Sequence, residues 1–125
     1  MRRLLLRLGL VALLGGLGTT SCLSPTLPLP PPDVDSITES SESGIWQIGG
    51  ICTPGALVVV LNYTTGECVV YEHRTQSRTW SVLLPAAQCD TAWVTEEYGD
   101  KKSSRNNFVI DTISPAQPNG TGACN

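Results

Sequence analysis

Histidine is almost missing from this 125-residue chain: His73 is the only one, and phenylalanine and methionine also occur once each. A lone His73, without cysteine or acidic residues at zinc-ligand spacing, argues against a metal hydrolase, and it gives a serine triad no convincing base. No Gly-x-Ser-x-Gly elbow occurs, and no glycine loop that would cradle a phosphate precedes a helix. The expectation is a protein that is not an enzyme and needs no cofactor. Charge is also scarce, at 15% of residues, with eight Lys and Arg against eleven Asp and Glu. So few cations argue against nucleic acid as a partner, since phosphate neutralisation needs them clustered. Lys101, Lys102 and Arg105 form a small basic group that suits a solvated turn. Sustained helical spacing of apolar residues is absent, and long hydrophobic runs are limited to one.

That run follows Met1-Arg2-Arg3, fills residues 4–18 and gives way to Thr19-Thr20-Ser21-Cys22. A basic start, an apolar stretch too short for a comfortable bilayer span and a small polar segment describe an export signal that is removed. The arrangement resembles a bacterial lipoprotein signal, with residues 1–21 cleaved and Cys22 lipidated, although Thr19 stands where such signals usually carry Leu. Loss of Arg2, Arg3 and Arg7 would take the formal charge from −3 to −6. The implied location is the bacterial cell envelope, lipid-anchored at the outer membrane, on either its periplasmic or its surface face.

Cysteine parity agrees with this reading. The five cysteines are Cys22, Cys52, Cys68, Cys89 and Cys124. If Cys22 takes a lipid, four remain for two disulfides in an oxidising compartment. Beyond Cys22 the sequence CLSPTLPLPPP makes an extended, proline-stiffened spacer. The following acidic, serine-rich segment continues that tether through residue 43, although Val34 and Ile37 also suit a first edge strand. The ordered domain is expected at 44–114, with a Pro- and Gly-rich tail at 115–125.

Within the domain, short β-branched and apolar runs alternate with Gly, Pro, Asn and Asp, the punctuation of an all-β fold. Strands are expected at 45–52, 56–62, 67–73, 79–84, 91–97 and 107–111, with a further candidate at 34–38. Thr53-Pro54-Gly55 supplies Pro and Gly in the order a tight turn needs, and Thr64-Thr65-Gly66 turns the next hairpin. Alternation assigns Trp46, Ile48, Gly50, Val58, Val60, Trp80, Val82, Leu84, Ala92, Val94, Phe108 and Ile110 to the inner layer. Leu57, Val59 and Leu61 then fall on the outward side of their strand, where either a neighbouring segment covers them or they form an interface.

Gly50-Ile51-Cys52-Thr53-Pro54-Gly55-Ala56, then Thr79-Trp80-Ser81-Val82, then Val109-Ile110-Asp111-Thr112-Ile113-Ser114-Pro115 resemble, in order and spacing, successive signatures of bacterial immunoglobulin-like repeat domains. The resemblance covers about residues 44–118, a single copy. It implies an immunoglobulin-like β-sandwich of six to seven antiparallel strands. One departure is Glu96-Glu97-Tyr98-Gly99-Asp100, which stands where the family usually has an Asp-x-x-Gly-Asn turn.

Four cysteines allow three pairings. An up-and-down strand order puts Cys68 and Cys89 at one end and favours bonding them, with Cys52 joined to Cys124; the sequential pairing, Cys52 to Cys68 and Cys89 to Cys124, is the other reading. Glu96, Glu97 and Asp100 offer hard oxygens for calcium, without a full ligand loop around them. Trp93 has the opposite parity to Ala92 and Val94. It is therefore either an exposed anchor for a protein or sugar or a residue covered by the second sheet or the tail. Two functions follow as expectations. One is an envelope lipoprotein presenting one immunoglobulin-like domain for adhesion, envelope organisation or assembly with another envelope protein, through Leu57, Val59, Leu61 and Trp93. The other is a small glycan- or ligand-binding lipoprotein that uses exposed aromatics, with a protease-inhibitor-like loop at 74–78 as a third.

Overall fold

The computed structural model describes residues 27–72, 76–114, 116 and 120–124, and all regular structure among them is strand. Cys22 and the export signal lie outside the described residues, as do His73 and Arg74. Eight strands occur: β1 (Asp33–Glu39), β2 (Ile45–Ile51), β3 (Leu57–Asn62), β4 (Cys68–Glu72), β5 (Thr79–Pro85), β6 (Thr91–Tyr98), β7 (Lys101–Lys102) and β8 (Asn106–Val109). They form two antiparallel sheets, β1-β2-β5 and β4-β3-β6 with β7 and β8 both on the far side of β6. The result is an all-β sandwich of two antiparallel sheets.

Turn chemistry fixes the register. The Thr53 carbonyl accepts from Ala56 N at 3.1 Å, and Gly55 takes φ +81°, which only glycine adopts without strain at that turn position. Alternation then fills the space between the sheets. Ile37, Trp46, Ile48, Trp80, Val82 and Leu84 from one sheet meet Val58, Val60, Ala92, Val94 and Ile110 from the other. The inward residues expected from the sequence are buried, except that Phe108 is only partly covered.

The N-terminal boundary differs from the expected one at residue 44. β1 pairs with β2 from Asp33 to Glu39, and Ile37 is fully buried. Asp33, Asp35, Ser36 and Glu39 make the strand read as tether, but only Ile37 and half-buried Val34 need to face inward. A bulge between Val34 and Ser36 lets the strand follow its partner, and it lies where Gly50 brings the two backbones together. A Cβ at Gly50 would stand 1.8 Å from the Asp33 carbonyl oxygen. Trp80 Nε1 donates to that same oxygen at 3.2 Å, and Asn106 Nδ2 donates to the Pro32 carbonyl at 2.9 Å.

The segment after β8 crosses to the other sheet. Ile37 and Ile113 exchange both backbone hydrogen bonds, at 3.0 and 2.9 Å, on the edge of β1 away from β2. Asp111 then holds the tail, accepting from the Thr121 hydroxyl and from Gly122 N at 3.1 Å. Cys89 and Cys124 close the strap with a disulfide.

That bond corrects the favoured cysteine pairing. Cys68 and Cys89 do share one end of the sandwich, but on opposite margins of the five-stranded sheet. Cys68 opens edge strand β4, whereas Cys89 N donates to the carbonyl of Ile110, just after β8. Three strand spacings of about 4.8 Å separate those margins. Cys52 is buried at the other end and Cys68 is exposed, and neither forms a disulfide. Of the sequential alternative, only the Cys89–Cys124 half is present.

Candidate functional site

The outward face of the five-stranded sheet follows from its register. Directly paired residues of antiparallel strands share a side, so Leu57, Val59 and Leu61 of β3 stand with Glu72, Val70 and Cys68 of β4. On the other flank they stand with Glu97, Thr95 and Trp93 of β6. The four candidate interface residues therefore lie on one face, with Leu61 directly opposite Trp93. Leu57, Val59, Leu61 and Trp93 are each half-buried, and Val70 beside them is 56% exposed. The described tether and tail lie elsewhere: Pro30 and Pro31 flank a crevice with Ile51 and Pro54, and the tail is fastened at Asp111.

Trp93 faces away from the second sheet. The Arg105 guanidinium covers its ring, 4.7 Å from the centroid. Arg105 reaches that position because the strand opposite β6 is broken into β7 and β8, with Ser103, Ser104 and Arg105 in the gap. Ser103 secures the break: its N donates to the Glu96 carbonyl and its hydroxyl accepts from Glu96 N, both at 2.9 Å. This contact between Arg105 and Trp93 was not readable from spacing, because it depends on a two-residue strand ending early.

Beside the stacked pair, an open groove of about 480 Å³ runs over the start of β6 and over β8. Thr91, Asn107 and Val109 contribute to it from β6 and β8, and Tyr63, 73% exposed, borders it from the β3–β4 turn. Tyr63 is held there by its neighbour. Asn62 is fully buried, its Nδ2 donating to Asp90 Oδ2 at 2.8 Å and its Oδ1 accepting from Thr64 N at 3.0 Å. Buried Asn62 thus anchors the backbone turn that carries Tyr63 to the groove. The same burial removes Asn62 as an acceptor for glycosylation, despite its Asn-Tyr-Thr context.

The calcium candidates are not brought together. Glu96 continues the inward parity of Ala92 and Val94 and accepts from Thr53 N at 2.8 Å and from the Thr53 hydroxyl. Glu97 points outward to Lys102 Nζ at 2.9 Å, and Asp100 is exposed in the next turn. Among the described residues no group of three His, Cys, Asp or Glu could hold a metal ion. Burial, with the Glu96 carboxylate nearby as a lesser cause, raises the Cys52 thiol above its ordinary pKa. Arg78, from the proposed inhibitor loop, is exposed, but residues 73–75 lie outside the described set. No family model, curated protein or solved structure matches this chain.

Proposed function

We propose that this chain is a non-enzymatic cell-envelope lipoprotein of the bacterial immunoglobulin-like type. Lipid on Cys22 would anchor it at the outer membrane, and its single domain would bind another envelope protein in adhesion, envelope organisation or assembly. One observation carries the reading: Leu57, Val59, Leu61 and Trp93 share the outer side of one sheet, extended by exposed Val70. A continuous apolar strip of this kind is a common mark of an interaction surface. Capture from an envelope fraction with wild type and with Leu57→Ser/Leu61→Ser provides the test. The double substitution is expected to abolish recovery of a specific partner while leaving the far-UV dichroism unchanged; unchanged recovery would reject the face. Mass spectrometry of the amino terminus checks the anchor, which predicts a lipid-modified Cys22.

The groove supports a second reading, a module that binds a small ligand or glycan. Its support is the exposed Tyr63 ring together with the Trp93–Arg105 stack around about 480 Å³ of open volume. Sites for small ligands usually have this size and this mixture of aromatic and convergent polar groups.

A further inference from the structure

Cations are rare in this acidic chain, and the groove holds one of them. Among the described residues Arg105 has no carboxylate partner; its contact is the face of Trp93. Stacking occupies the flat side of a guanidinium and leaves its in-plane N–H groups free, in the geometry that matches a carboxylate. Thr91 and Asn107 add a hydroxyl and an amide to the same groove, and Tyr63 and Val109 add an aromatic ring and an apolar patch. We propose that the groove binds an acidic sugar of the uronic or sialic type, an assignment that rests on the ligand-binding reading above. The sugar carboxylate lies on the Arg105 edge, its hydroxyls meet Thr91 and Asn107, and its C–H face lies on Tyr63.

An acidic peptide fits less well. The groove opens on the face of the sheet, above β6, whose backbone groups are committed to β3 and β8; the free edge of β8 lies in the plane of the sheet and not on this face. A peptide docks best on a free strand edge, where its own backbone finds partners. Side-chain amide and hydroxyl groups over an aromatic border suit a sugar instead.

The fold provides its own reporter for the test, because Trp46 and Trp80 are only 5% and 3% exposed whereas Trp93 borders the groove. Tryptophan emission of the full chain is titrated with trigalacturonate and sialyllactose, with neutral galactotriose and lactose, and with tetraglutamate. At least one acidic sugar should give a saturable change that disappears in Trp93→Phe. Arg105→Gln should weaken that binding by about tenfold, as expected for a hydrogen bond to a charged group. Tyr63→Ala should also weaken it, and Leu57→Ser/Leu61→Ser should not. An equal response to neutral sugars would overturn the acidic specificity and leave the ligand-binding reading standing. Equal binding of tetraglutamate, or an unaffected Arg105→Gln protein with native dichroism, would likewise overturn the acidic-sugar assignment. Silence towards every probe would remove both readings.

Discussion

Cys52 and Cys68 carry the same thiol in opposite surroundings. Cys68 is exposed on the outer face, whereas Cys52 is buried beside Glu96, where desolvation and the carboxylate hold it protonated. Since the thiolate is the reactive form, a maleimide should label Cys68 quickly in the native protein and Cys52 only after denaturation. Peptide mapping after timed labelling measures this, and equal native rates would contradict the buried position. Thr95 is a second site where surroundings decide. It is 1% exposed, and its hydroxyl has no hydrogen-bond partner among the described residues. Thr95→Val keeps the shape and removes the orphaned group, so urea unfolding should show stability unchanged or raised by up to about 1 kcal/mol. At Asp111, the hydroxyl of Thr121 and the amides of Thr112 and Gly122 lower the carboxyl pKa against the opposing effect of burial. A lowered folded pKa means that the contribution of this group is complete above the unfolded value of about 3.9 and is lost as pH falls through the lower folded value. The Gly122 amide resonance should therefore shift with a midpoint below about pH 3.9.

Among the elements, β1 depends most on a neighbour's missing side chain. Gly50→Ala would push a methyl group into the Asp33 carbonyl, so the start of β1 should detach. Hydrogen exchange would register this as lost protection at the start of β1, with β3 and β6 unaffected. The strands themselves were legible, because Thr53-Pro54-Gly55 and Thr64-Thr65-Gly66 punctuate an alternation that burial follows closely. β1 was ambiguous for a physical reason: a strand on an exposed edge needs few inward apolar residues, and it shares its polar composition with a linker. Glu96 was grouped with the calcium candidates for its acidity, although Ala92 and Val94 set its parity inward; its Thr53 donors lie 43 residues away in sequence. The candidate face followed from parity alone. The groove did not, since it requires the β7–β8 break and the position of Tyr63 on buried Asn62.

For the whole molecule, the strap from Ile113 to Cys124 couples the two sheets. The disulfide spans 35 residues, a closure worth about 3–4 kcal/mol in the chain-entropy model. Cys89→Ser/Cys124→Ser should lower stability by up to that amount in chemical denaturation and free residues 120–124 to rapid exchange. The sandwich should survive, because its buried core comes from β1, β2, β3, β5 and β6 with Cys52, Ala86 and Ile110, all of which precede the tail. If the variant lost its far-UV spectrum, the strap would be a condition of folding rather than an addition to it.

The direction of β1 has a mechanical consequence. The chain enters this strand at Asp33, beside Ile51, and runs towards the end where Asn62 and Tyr63 lie. A pull on the preceding residues, opposed by a ligand held in the groove, acts along β1, whereas its ladder bonds to β2 run across it. All of those bonds are then loaded together in shear, instead of opening one at a time as in a zipper. A domain threaded in this way would resist tension between the residues preceding β1 and a ligand seated in the groove better than one pulled from the opposite end of the same strand.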